Sequence, residues 1–172
     1  RLSIYRQVFE ASDDIAEMVK SLSNIFKHSL NKGDKLIRLQ DEIEHMQDYM
    51  KIQNFRFHDR YKLHIDIADH LLNVKILTFL LQPILENGVY HGLEPKVGDG
   101  NIYLNIKEKD NLLLITFYDD GVGIEDIMLL EKGYGINNIK ERIRLYYGPQ
   151  YGITINSEKN KGTKVKLVIP FR

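Results

Sequence analysis

The 172-residue chain has the length and composition of a globular protein with one core of ordinary size and a short extension. Lys and Arg together number 24, as do Asp and Glu, so the overall charge does not indicate a nucleic acid as partner. Cysteine is absent, which excludes disulfides and thiolate metal sites, and no run of apolar residues is long enough to span a membrane.

The first third of the chain, residues 1–58, is predicted to be a helical hairpin. Apolar residues follow steps of three and four from Ile4 to Ile25, and a second such seam begins at Leu39. Two interpretations stay open: the hairpin covers its own domain, or it forms half of a dimeric four-helix bundle. We favour the dimer, because the first helix is long and precedes anything on which it could pack. The chain enters helical periodicity at Arg1, so we expect it to be part of a longer protein.

Residues 59–172 are predicted to form one α+β domain. The segment "YKLHIDIADH" alternates apolar and polar residues, which is typical of a half-buried strand. A helix with a wide apolar face is then predicted from about Val74 to His91, with Gly92 as its C-cap.

The second half of this domain is predicted to be mainly strands. "NIYLNIKEK" and "NLLLITFYD" are joined by the turn residues Asp110 and Asn111, which predicts an antiparallel hairpin. A helix from about Ile136 to Tyr147 precedes two last strands, "YGITINS" and "TKVKLVIPF". The sum is a two-layer sandwich: five strands in a mixed, mostly antiparallel sheet, covered on one face by helices.

Polar residues cluster on the first helix of this domain, in "LQPILENGVYHGLEP". Asn87 and His91 share one stripe of a helix, while Gln82 and Glu86 share the adjoining one. A carboxamide oxygen beside a carboxylate suits Mg²⁺, which leaves its other positions to waters and substrate phosphates. An exposed polar face near the end of the helix dipole would explain His91 alone, but not Glu86 beside Asn87.

Three glycine-containing stretches follow along the chain. "DDGVGI" comes directly after a strand, where glycines let a backbone pass close to a ligand and an acid accepts a hydrogen bond. Gly133 and Gly135 open the next helix, whose positive end stabilises a phosphate. Gly162 and Thr163 begin the last strand. None is a Walker or Rossmann motif, and each by itself is weak evidence.

The order of these stretches carries a resemblance. "LLQPILENGVYHG", "DDGVGI", "GYGINNIKERIRLYYG" and "KGTKVKLVIP" resemble the N, G1 and G2 boxes and the final Gly-Thr strand of histidine-kinase ATP-binding domains. The likeness is closest to the LytS/YesM-like sensor kinases, and through "LQDEIEHMQDYMKIQNFRF" it covers nearly the whole chain. It implies a Bergerat-type ATP-binding fold for residues 59–172 and ATP with Mg²⁺ as ligands.

The resemblance also implies roles for single residues. Asn87 would bind the Mg²⁺ that bridges the ATP phosphates, and Glu86 would be the catalytic acid that polarises the attacking group or orients a metal-bound water. Asp119 would accept the adenine amino hydrogen. The remaining residues would contact the nucleotide, with less settled roles for two of them, His91 and Arg142; the others are Gly121, Gly123, Gly133, Gly135 and Thr163.

Three positions depart from the pattern of the family. Tyr90 stands where a Lys or Arg is common, so a cationic phosphate contact is absent unless Lys132 replaces it. Asp120 replaces an Asn and adds negative charge near the nucleotide, and Gly88 replaces an Ala at a cost of up to about 1 kcal/mol in helix propensity. A degenerate kinase, in which ATP only gates dimer geometry without phosphotransfer, is therefore the alternative to an active enzyme.

The phosphate acceptor of the family is a histidine in an Asn-Pro-His-Phe motif. None of the six histidines has that context, so we expect the acceptor upstream of Arg1. The resemblance further implies a homodimer formed through the N-terminal helices and a response regulator as partner. It also implies a cytoplasmic location in a sensor that is membrane-anchored upstream.

Overall fold

The computed structural model describes residues 15–24, 35–124 and 134–171. The start of the N-terminal seam, Lys132 and Gly133 lie outside these ranges. The helices are α1 (residues 15–24), α2 (Leu39–Phe57), α3 (Gln82–Asn87, continued by a π-helical segment, Gly88–Leu93) and α4 (Tyr134–Tyr147), with a 3₁₀ turn at Asp69–Leu71. The strands are β1 (Leu36–Arg38), β2 (Tyr61–Ile67), β3 (Lys75–Leu77), β4 (Gly100–Lys109), β5 (Leu112–Asp119), β6 (Gly152–Glu158) and β7 (Gly162–Pro170).

The main sheet has five strands in the order β2-β4-β5-β7-β6. The β2 and β4 strands are parallel, and all other neighbours are antiparallel, which confirms the predicted α+β sandwich. Asp110 and Asn111 both have positive φ angles, 53° and 60°, so they make the tight turn that joins β4 to β5.

One continuous hydrophobic core lies between the helices and one face of this sheet. Its members include Leu39, Ile43, Met46 and Met50 of α2, which are buried together with the apolar face of α3 and the inward residues of β4, β5 and β7. The α2 helix contacts β2 and α3, while α4 contacts α3, β6 and β7. The second predicted seam thus packs on the sheet-bearing part of its own chain. No helix within the described ranges combines the length and apolar character that crossing a membrane requires.

The predicted helix Val74–His91 was wrong at its start. Lys75–Leu77 is instead the strand β3, which pairs antiparallel with β1 in a separate two-stranded sheet. The helix begins at Gln82 and carries Pro83 in its first turn, where the missing N–H of proline leaves no helical hydrogen bond unmade.

The prediction that Gly92 caps this helix was also wrong. The helix continues to Leu93 through a π-helical segment, in which the amide of Glu94 donates to the carbonyl of Val89 over 2.8 Å. Gly92 lies inside this segment, and the space around it gives it a different role, described below.

Candidate functional site

A cleft opens between α3, the end of β5 and the start of α4. It holds about 470 Å³ of empty space, its open mouth included. Its walls are mostly apolar, and four polar side chains face it: Asn87, His91, Asp119 and Thr163. The apolar lining consists of Ile84, Ile102, Phe117, Ile124, Ile136, Ile155 and Val165. A mostly apolar slot with a few convergent polar groups is the usual form of a small-molecule site.

Asp119 is the buried acid of this cleft. It ends β5, and only 7% of its surface is exposed. Burial raises the pKa of Asp119 to about 6, although amide hydrogen bonds from Gly121 and Thr163 oppose the rise. The Gly121 amide lies 3.0 Å from Oδ1, and the side chain lines the cleft. The carboxylate is therefore placed to accept a hydrogen bond from a neutral ligand donor.

Glycines allow the backbone to close around this acid. A methyl group at Gly92 would lie 2.5 Å from Oδ1 of Asp119, and one at Gly121 would lie 2.3 Å from the carbonyl carbon of Gly92. The amide of Val122 donates to the carbonyl of Gly92 over 2.9 Å, which holds the glycine loop against the π-helical segment. Gly123 has a φ of 64°, and a side chain there would meet the carbonyl oxygen of Glu158 at 2.0 Å. The loop thus fits only without side chains at these positions.

Thr163 lies directly opposite Asp119 in the β5–β7 ladder. Its hydroxyl is 2.8 Å from that of Ser157, which also accepts the amide of Ile124 over 2.8 Å. Ser157 therefore ties the glycine loop to the last strand. Sequence reasoning missed this residue, because a lone serine in a strand carries no signal of its own.

The polar cluster of α3 divides between the mouth of the cleft and its flank. Asn87 and His91 both line the cleft, which agrees with the shared stripe predicted from their spacing. Glu86 lies beside them and accepts a hydrogen bond from Nε2 of Gln82 over 2.7 Å. A methyl group at Gly135 would lie 3.8 Å from Nδ2 of Asn87, so α4 begins next to this amide.

Two of the departures noted in the sequence take definite positions. Asp120 forms an ion pair with Lys96, with 2.9 Å between Nζ and Oδ1, and accepts hydrogen bonds from the backbone and side chain of Asn101. Although burial opposes it, these contacts lower the pKa of Asp120. Tyr90 is 61% exposed and stacks edge-on against His91. Asp120 is thus a paired carboxylate outside the cleft lining.

Arg142 does not line the cleft. It lies on α4, where its guanidinium donates to the backbone carbonyls of Thr78 and Phe79. Of the other predicted contact residues, Gly133 falls outside the described residues.

The donor set at the mouth fits a metal held mainly by a substrate. Among the residues that the structure describes, no three His, Asp or Glu side chains come together as a metal cluster. A single amide with a carboxylate nearby matches Mg²⁺, which keeps several waters and binds substrate phosphates instead of a full protein cage.

The amino-acid sequence of this chain is similar to those of known histidine kinases. A family model described as histidine kinase matches residues 2–61. The chain is 35% identical over 161 residues to the sensor histidine kinase YesM of Bacillus subtilis, covering 92% of this chain and 28% of that protein. It is 32% identical over 153 residues to the sensor protein LytS of Oceanobacillus iheyensis, covering 81% and 26%. The chain thus spans little more than a quarter of the length of these curated relatives.

Solved structures share the fold. The histidine kinase domain of the blue-light activated histidine kinase EL346 from Erythrobacter litoralis matches with a TM-score of 0.61 and 19% identity, over 92% of this chain and 75% of that one. The Acinetobacter baumannii histidine kinase AdeS matches with a TM-score of 0.61 and 11% identity, over 100% and 86%. The chain is thus a homologue, over most of its own length, of the sensor histidine kinases YesM and LytS, and it has the fold of histidine kinase domains.

Proposed function

We propose that residues 59–172 bind Mg-ATP in the cleft and act as the catalytic domain of a two-component sensor histidine kinase. The γ-phosphoryl group would pass to a histidine outside this chain, and from there to a response-regulator aspartate. The observation that carries the proposal is the position of Asp119, a buried carboxylate that faces an apolar cleft. Glycines let the backbone pass close to this carboxylate.

The purine end of the proposed site is the inner part of the cleft. The Asp119 carboxylate would accept the exocyclic amino hydrogen of adenine, which guanine lacks at that position. Thr163 and Ser157 hold the strand and the loop on either side. The apolar lining would pack on the faces of the base, where burial of aromatic surface is favourable.

The phosphate end would be the mouth of the cleft. Asn87 would offer its carboxamide oxygen to the metal, and the start of α4 at Gly135 would present free amides and the positive helix end to the phosphates. Bound Mg²⁺ would neutralise the charge that builds on the phosphate oxygens. Glu86, held by Gln82, would polarise the attacking imidazole or orient a water.

The pairing of Asp120 bears on the alternative of a degenerate kinase. Lys96 and Asn101 compensate part of the charge of Asp120, although this carboxylate still helps to raise the pKa of Asp119. This pairing weakens one of the two reasons to expect poor ATP binding. The other, the missing cation at Tyr90, stays.

The helical segment supports a homodimer as part of the proposal. Ile15, Val19 and Leu22 share one face of α1 and are 52%, 58% and 46% exposed. Such an apolar stripe is suited to packing against a second copy of the chain. Sedimentation of the protein and of Val19→Glu tests this: a monomer in both would exclude the dimer.

A cytoplasmic location within a membrane-anchored sensor is proposed on the same family relationship.

Incubation of a longer protein that includes the acceptor helix with γ-labelled ATP and Mg²⁺ tests the function. We expect acid-labile, base-stable label on histidine, and loss of that label in Asn87→Ala. A protein that binds Mg-ATP but gains no label would support the degenerate kinase instead.

A further inference from the structure

The turn between β3 and α3, taken here with the first residue of α3 as residues 78–82, is held by polar side chains from two other helices. This turn sets where α3 begins, and α3 carries Glu86 and Asn87. Glu42 of α2 holds the turn by its amides, and Arg142 of α4 holds it by its carbonyls. Glu42 thus accepts hydrogen bonds from the backbone of this segment, and Arg142 donates hydrogen bonds to it.

Glu42 has no surface role, since only 1% of it is exposed. Its Oε2 accepts the amide of Phe79 over 3.0 Å, and its Oε1 accepts those of Leu81 and Gln82 over 2.9 and 3.3 Å. Burial raises the pKa of Glu42, while these amide bonds oppose the rise. A buried carboxylate destabilises the folded protein unless it is hydrogen-bonded. Here both of its oxygens accept hydrogen bonds from backbone amides of one short segment.

The turn needs such support because its backbone is strained. Phe79 has a φ of 54°, a left-handed conformation that a bulky residue adopts only when its surroundings impose it. Arg142 donates to the carbonyl of Phe79 over 3.2 Å and to that of Thr78. The ring of His45, one turn after Glu42, lies edge-on to Phe79 at 5.6 Å.

A connected path leads from this turn to the proposed catalytic acid. Gln82 gives its backbone amide to Glu42 and its side-chain amide to Glu86. On its other side, α2 holds α1 through Asp48, which accepts hydrogen bonds from Ser21 and Asn24. Glu42 therefore connects α2, which also contacts α1, to the phosphate end of the cleft.

We propose that Glu42 is a positioning residue, which fixes the start of α3 so that Asn87 and Glu86 meet the magnesium and the phosphates. This inference rests on the proposed function. It makes a directional claim: Glu42 supports the start of α3, with Glu86 and Asn87, more than it supports Asp119, which is also held by β5, β7 and the glycine loop.

Titration of this chain with Mg-ATP and, separately, with adenosine tests the claim. In Glu42→Gln, an NH₂ group replaces one acceptor oxygen and faces backbone donors. We expect its affinity for Mg-ATP to fall about tenfold, as for misplaced supporting groups in other sites, and its affinity for adenosine to stay within about twofold. Glu42→Asp keeps the carboxyl group but shortens the reach, so it should show the same pattern more weakly. The matched control is Glu44→Gln, an exposed position on the same helix, which should bind both ligands like the parent.

The two ligands separate positioning from mere loss of folded protein. Unfolding of a fraction of the sample would lower the number of sites for both ligands equally. Should Glu42→Gln not fold, Glu42→Asp carries the test. Unchanged Mg-ATP affinity in the folded Glu42 variants, or an equal drop for adenosine, would overturn the inference while leaving the proposed function intact. A parent chain that binds neither ligand would overturn both.

Discussion

Asp119 is suited to binding a ligand, but its burial lowers the free energy of unfolding of the empty protein. With a pKa of about 6 in the folded chain against 3.8 for the unperturbed group, its ionised form is disfavoured by folding. At neutral pH the difference amounts to about 3 kcal/mol, an upper estimate for the destabilisation of the empty protein. A purine donor would compensate the buried charge when it binds.

Replacement of this acid by its neutral isostere should therefore stabilise the empty protein. The folded-state pKa is raised, so the parent has the full benefit of protonation below about pH 4 and loses it as the pH rises towards 6. We expect Asp119→Asn to have a larger free energy of unfolding than the parent at pH 7, with the difference disappearing near pH 4. Urea titrations at pH 4, 5, 6 and 7 measure it. A difference that does not vary with pH would contradict the assigned burial of the charge.

The sequence predicted those site residues that belong to recognisable motifs. Asp119 and Thr163, both marked by motifs, lie opposite each other in the β5–β7 ladder, and Asn87 lines the cleft. Ser157 and Glu42 could not be found in this way, since their contacts join segments 33 to 40 residues apart in the chain. Arg142 matched a family position, but its partners are backbone carbonyls that no side-chain pattern reveals.

Among the elements, α3 departs most from a regular pattern. Its change to a π-helical segment at Gly88 widens the helix just where it passes Asp119, and such segments often occur at functional sites. Periodicity placed its start at Val74, because an apolar three-residue strand such as β3 cannot be distinguished from a helical turn by pattern alone. Only pairing with β1, in a distant segment, decides the matter.

Two glycines of this element provide a matched pair for a stability test. At Gly88, whose φ of −60° is helical, an added methyl group would meet Ile102 at an ordinary 3.4 Å. At Gly92 it would lie 2.5 Å from the Asp119 carboxylate. We expect Gly88→Ala to gain up to about 1 kcal/mol, or roughly 2 to 4 °C in Tm, and Gly92→Ala to lose about 1 to 3 kcal/mol.

Thermal unfolding followed by circular dichroism checks both variants under one condition. Equal melting temperatures for the two would mean that Gly92 does not hold the helix against the acid, and the glycine argument for the cleft would fail.

At the scale of the whole molecule, the cleft exists because the sheet order brings distant segments together. The β7 strand inserts between β5 and β6, so that Thr163 meets Asp119, while α3 crosses above them. The five strands of the main sheet, their mostly antiparallel pairing and the hairpins β4–β5 and β6–β7 are confirmed, because alternation and turn residues are local signals, whereas the short strands β1 and β3 were not predicted. The parallel β2–β4 pairing and the packing of α2 on the core join segments that are distant in the chain, so local sequence patterns do not predict them.

The central claim is that one cleft binds the metal-bound phosphates through Asn87 and the purine through Asp119. Calorimetric titration of the parent, Asn87→Ala and Asp119→Ala with Mg-ATP and Mg-GTP tests it most directly. We predict that each substitution weakens Mg-ATP binding about ten- to a hundredfold, that Asn87→Ala keeps the preference for ATP over GTP, and that Asp119→Ala loses it. Equal affinities for both nucleotides across the three proteins would contradict the account.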